Sequence, residues 1–167
     1  TVRRNGQSFS VPGHLGSASY ILDEPAAPAR EVVAPVVRFV DPAGVEGWGR
    51  NGDLTTGPVR VAVGQPLTLS VSVTTPDGYE TKTMWHVGWG KHHGVGDVTF
   101  GERTIELEKA DSLQTTPMPT IATTSATFSE PGTYVLRVRV DNFNPLDSSS
   151  GDQCCWTNGY ISVTVSP

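Results

Sequence analysis

The sequence predicts an all-β protein, an antiparallel sandwich with an extended N-terminal arm. Three observations carry this. At least six short segments alternate apolar and polar residues, the mark of strands with one buried face. Turn signals separate them, in a chain of 167 residues with 18 glycines and 13 prolines. No segment shows a helical period, which removes TIM-barrel and Rossmann architectures, whose sheets need covering helices.

Residues 1–30 lack periodicity. Gly6, Pro12, Gly13, Gly16, Pro25 and Pro28 punctuate them, and Ala26-Ala27-Pro28-Ala29 reads as a linker. Ser8 to Val11 and Tyr20 to Leu22 are short strand candidates. Val32 to Val40 is apolar enough for a strand, and Pro35 makes it an edge or bent one. Asp41-Pro42-Ala43-Gly44 is a turn signal, and residues 44–57 form a Gly-rich loop holding Trp48. The chain therefore divides into an arm, residues 1–56, with short strands and Gly/Pro-rich loops, and a sandwich, residues 57–167.

From Pro58 the pattern sharpens. Val59, Val61 and Val63 alternate with Arg60 and Ala62, and Gly64-Gln65-Pro66 turns the chain. Leu67, Leu69, Val71 and Val73 then form one buried face. After a turn at Pro76-Asp77-Gly78, Thr83 to Trp89 is a strand with Trp85, Val87 and Trp89 on one face. Gly90 to Gly96 is expected as a loop carrying His92 and His93, and Val98 to Phe100 as a strand. Residues 101–122 read as an irregular polar connection, followed by a strand from Thr123 to Phe128. Glu130-Pro131-Gly132 leads into Thr133 to Val140, with Tyr134, Leu136, Val138 and Val140 inward and Arg137 and Arg139 outward. Residues 141–152 form a polar loop, and Tyr160 to Val165 is the last strand.

Composition excludes several partners. Charged residues make up 17% of the chain, below the usual quarter. The net charge is −5 and no basic run exists beyond Arg3-Arg4, which excludes nucleic acid as a partner. No stretch approaches the roughly 20 apolar residues of a membrane-spanning helix. The chain begins at Thr1 without an apolar leader, as a mature product does after signal-peptide removal. The expected location is secreted, extracellular or at the cell surface.

Four stretches carry a family resemblance: Val61 to Leu67, Pro76-Asp77-Gly78, Phe128 to Tyr134, and Val138 to Asn142. Through them residues 59–165 resemble an immunoglobulin-like domain of secreted bacterial proteins, of the polycystic-kidney-disease or cadherin-like kind. The resemblance implies an immunoglobulin-like sandwich. Trp89-Gly90-Lys91, Gly96 to Phe100 and the chain's end also look like a group of uncharacterised secreted bacterial proteins, a match that implies no activity. The chain departs from the polycystic-kidney-disease pattern in two places. His86 to His93 stands where that family has a Gly-Asp-rich turn, and residues 101–122 are extra.

The chemistry-bearing residues fall into four groups. Cys154 and Cys155 are the only cysteines. Adjacent strand residues point to opposite faces, so a bond between them requires a turn. Their Cα atoms, about 3.8 Å apart across one peptide, fall below the usual disulfide range. A vicinal disulfide in an oxidising compartment, two free thiols and a bond to another chain are the three open states. His86, His92 and His93 are the transition-metal candidates, since a strand followed by a tight loop could bring them together around copper or zinc. Asp77, Asp141, Asn142, Asp147 and Asp152 are oxygen ligands of the kind calcium takes, so calcium is the one candidate cofactor. They lack EF-hand spacing and equally suit a solvated loop. Trp48 and Trp156, in loops, are candidate sugar- or peptide-binding aromatics, whereas Trp85 or Trp89 belongs to the core and Tyr134 occupies a tyrosine-corner position.

No nucleophile elbow, zinc-protease motif or phosphate loop occurs, so the expectation is a protein without catalytic activity. The arm is the expected functional element. Gly- and Pro-rich termini are ordered only when tied down, either on their own sandwich or by β-augmentation of a neighbouring copy. A head-to-tail contact of the second kind builds filaments. The sequence thus points to a self-assembling structural subunit of an extracellular fibre or surface layer, a homo-oligomer through its arm. The alternatives are a cell-surface module for carbohydrate or protein, and a secreted metal-binding protein.

Overall fold

The computed structural model describes residues 2–4, 7–9, 34–44, 46–48, 54–76, 85–107, 120–141 and 156–167. They form twelve strands: β1 Val2–Arg4, β2 Gln7–Phe9, β3 Val36–Asp41, β4 Glu46–Trp48, β5 Leu54–Ala62, β6 Leu67–Thr74, β7 Trp85–Gly94, β8 Val98–Phe100, β9 Thr104–Leu107, β10 Thr120–Phe128, β11 Gly132–Asp141 and β12 Trp156–Ser166. Two five-stranded sheets result, ordered β4-β3-β6-β10-β8 and β5-β12-β11-β7-β9, while β1 and β2 pair only with each other. Among the described residues no helix is long and apolar enough to cross a membrane.

The period-two pattern places the core where it was expected. Val37, Phe39, Leu69, Val71, Val73, Ala126 and Phe128 of the first sheet meet Trp85, Val87, Trp89, Leu136, Val138, Ile161 and Val163 of the second, all buried. Each large apolar side chain removed from water in this way contributes about 1.5–3 kcal/mol. Both strand tryptophans are in the core. All strand pairs are antiparallel except β5 with β12, which run parallel.

Three segments differ from expectation. Gly90 to Gly94 is not a loop: β7 continues through it, paired with β11, and accommodates one extra residue where the register shifts between Val135 and Leu136. Backbone pairing there overrides the low strand preference of glycine. The connection after residue 100 holds strand β9, whose inward Ile105 and Leu107 are too few to show as a period among polar neighbours. The sandwich also begins before residue 57. β3 lies between β4 and β6 and sends Val37 and Phe39 into the core. Pro35 precedes the strand instead of interrupting it, so every N–H from Val36 onward is available to the ladder. Buried Thr157 in β12 ties this entry down by donating from Oγ1 to the Pro35 carbonyl at 2.6 Å.

The turn readings hold at residues 41–44, where the Gly44 N–H donates to the Phe39 carbonyl at 3.2 Å, and at residues 62–65, where Gln65 N–H donates to Ala62 at 3.1 Å. Gly64 there has a φ of 74°, which glycine adopts without penalty. The expected strand at Tyr20 to Leu22, the turn at Asp77-Gly78 and the polar loop after Asp141 lie outside the described residues.

Candidate binding face

Outward positions of the second sheet alternate with its core positions, and the strand register lines them up in rows. The first row is Trp156 on β12, Asp141 on β11, His86 on β7 and Glu106 on β9. The second is Asn158, Arg139, Gly88 and Thr104. The third is Tyr160, Arg137 and Gly90.

The first row carries two carboxylates, Asp141 enclosed at its centre and Glu106 exposed at its β9 end. The Asp141 side chain is only 3% exposed and accepts a hydrogen bond from Arg139 Nε at 2.6 Å. His86 sits between two carboxylates, Nδ1 at 3.8 Å from Asp141 Oδ1 and Nε2 at 3.8 Å from Glu106 Oε1. Both distances exceed hydrogen-bond range, and the buried Nδ1 has no hydrogen-bond partner. The row thus sets an imidazole between two carboxylates across β7, β9 and β11.

The third row is open. Arg137 Nε donates to Asn158 Oδ1 at 2.9 Å, which fixes the guanidinium plane. Tyr160, opposite Arg137, is met edge-on by the ring of His92, with centroids 5.1 Å apart. His92 follows Lys91 at the register shift, which brings it across β11 toward β12. Beside them β7 presents bare backbone. A Cβ added at Gly90 meets nothing within 4 Å, and one at Gly88 meets only the Arg139 carbonyl, at 3.9 Å. Glycine within a strand often marks a place where a ligand or another backbone comes close.

The sequence-predicted sites fare unevenly. All three candidate histidines stand on β7, and six strand residues at about 3.3 Å each hold His86 roughly 20 Å from His92. No tight loop folds them together, so the expected copper or zinc set is not formed. Among the described residues no group of three His, Cys, Asp or Glu could hold a metal ion. Asp141 faces Arg139 and His86. The other calcium candidates, Asp77, Asn142, Asp147 and Asp152, lie outside the described residues, as do Cys154 and Cys155. Trp48 falls on β4 and Trp156 opens β12, half-buried on the outer face of the second sheet. The sequence reading missed Arg137, Asn158 and Tyr160 as a unit. Its available signal was the pair Gly88 and Gly90, alternating with core residues inside a strand.

The PKD domain family model matches residues 53–153. That span runs from the start of β5 through β11, and the structure adds β3, β4 and β12 to the same two sheets. No curated protein matches the chain. Solved structures of similar shape include the CARDB domain of a Pyrococcus furiosus protein, in complex with di-metal ions. It is 16% identical, with a TM-score of 0.42, covering 81% of this chain and 94% of that one. The PKD domain of an M14-like peptidase from a Thermoplasmatales archaeon is 18% identical, with a TM-score of 0.37, covering 81% and 96%. A PapD-like domain of human CEP192 is 11% identical, with a TM-score of 0.40, covering 95% and 98%.

Proposed function

The chain belongs to the PKD domain family, and from that premise we propose that it is a non-enzymatic binding module of an extracellular or surface protein, engaging its partner through the outer face of the second sheet. Domains of this family are typical of extracellular and surface proteins and serve there as binding or structural modules. One observation carries the finer reading: the strip of Gly88 and Gly90, uncovered among the described residues, beside a guanidinium that Asn158 holds in place. A purely structural face has no use for two strand glycines, which cost roughly 0.5–1 kcal/mol each relative to alanine.

Self-assembly through the arm has less behind it. It would have an arm strand add to a sandwich edge of a second copy, whereas the described arm strands β1 and β2 pair with each other within one copy. The test compares the protein with Gly90→Trp for retention on immobilised polysaccharides and fibrous proteins, alongside sedimentation equilibrium. A Cβ added at Gly90 meets no described residue within 4 Å, and circular dichroism checks that Gly90→Trp keeps the fold. Saturable retention by the protein, lost in Gly90→Trp, is the expected result. Concentration-dependent polymers whose formation ignores Gly90→Trp would favour the assembling subunit instead.

A further inference from the structure

We propose that the ligand of this face is an acidic saccharide, a chain of sugar rings bearing carboxylates; the assignment rests on the binding role just given. Arg137 supplies the anion site. A guanidinium carries five N–H donors in a rigid fork. Only Nε is used, on Asn158, and the remaining donors have no partner among the described residues. A fork held in one plane with its outer donors free is shaped for a bidentate carboxylate. Arg139, two residues on, differs because Asp141 already takes it. An oriented, uncommitted cation stands out on a chain of net charge −5.

The rest of the row suits a sugar ring. Tyr160 lies directly opposite Arg137, and His92 packs against it. A pyranose has an apolar C–H face that lies on an aromatic ring and a polar rim that meets hydrogen-bond donors. Asn158 engages Arg137 through Oδ1, which leaves its amide N–H groups for a hydroxyl. Gly88 and Gly90 leave the neighbouring strand flat, giving the next sugar unit room against the backbone.

An acidic peptide fits less well. Extended peptides gain affinity by adding to a free strand edge. β7 is paired with β11 along its length and with β9 at Trp85 to Gly88, and β11 is paired on both sides. β12 is likewise paired on both sides, so where Arg137 and Tyr160 stand the face offers side chains and not a ladder, and the open edges of this sheet lie at β5, at β9 and along β7 beyond β9.

The test is calorimetric titration with a galacturonate hexamer and with its methyl ester, which keeps the rings and removes the charge. The protein is expected to bind the acid at least about tenfold more tightly than the ester, the scale of one charge-assisted pair. Arg137→Gln should erase that difference while leaving the circular dichroism and unfolding midpoint in place. Tyr160→Ala should weaken acid and ester alike. Equal binding of acid and ester, no binding of the hexamer, or binding that ignores Arg137→Gln overturns the proposal. So does a polyglutamate peptide that competes as well as the hexamer. If the hexamer fails but retention on another polymer still depends on Gly90, the saccharide assignment falls and the binding-module reading stands.

Discussion

Gly94→Ala is expected to destabilise the protein by at least about 3 kcal/mol, read as a lower urea midpoint with an unchanged slope. Gly94 ends β7 with a φ of 147°, a conformation L side chains rarely adopt. An added Cβ would also land on the ring of Tyr134. That ring cannot simply move aside. It is buried, packs edge-to-face on Phe128 with centroids 4.9 Å apart, and anchors a corner through its hydroxyl. The hydroxyl donates to the Glu130 carbonyl at 2.8 Å and accepts from the Gly96 N–H at 3.1 Å. One side chain thus joins the turn before β11 to the chain after β7. Backbone strain of about 1–3 kcal/mol adds to roughly 1 kcal/mol for each displaced hydrogen bond. Tyr134→Phe separates the terms, because it keeps the ring and removes only the hydroxyl. It is expected to lose about 1–3 kcal/mol. A Gly94→Ala loss no larger than that of Tyr134→Phe would show that the backbone at residue 94 relaxes freely.

How far the sequence could be read follows from what each pattern records. Alternation at Leu67–Val73 and Tyr134–Val140 reports burial directly, because side chains on a strand switch faces at every residue. The core and the Tyr134 corner were therefore visible. The glycines of β7 hid the end of that strand. A glycine carries no face, so the period fades at Gly90 although β11 pairs with it. Strand β9 was hidden for a related reason, since two inward residues make no period. Pairing between distant strands is what brings Tyr160 beside Arg137 and Gly90, and neither spacing nor composition records that pairing. The separation of the three histidines was foreseeable in one respect. Had Gly90 been read as strand, as Gly88 was, His86 and His92 could not have met.

The buried carboxylate of Asp141 sets the second large effect. Arg139→Ala is expected to cost about 2–3 kcal/mol, more than Asp141→Asn. Removing a partner from an enclosed pair leaves the other charge without its counter-ion, which costs more than the pair itself contributes. Asp141 is the enclosed member, with a side chain 3% exposed, while that of Arg139 is 30% exposed and can turn to water. The loss therefore falls below the 3–5 kcal/mol seen when both members are buried. His86, 3.8 Å from Asp141 and 12% exposed, offers only partial compensation. The double variant Asp141→Asn with Arg139→Ala should regain part of the loss, because the enclosed charge is gone. The same variants separate a structural carboxylate from a calcium ligand. With a structural Asp141, millimolar calcium leaves the midpoints of protein and variants unmoved. A calcium-dependent rise that vanishes in Asp141→Asn would instead assign the carboxylate to a metal and make Arg139 its counter-ion only while the cation is absent.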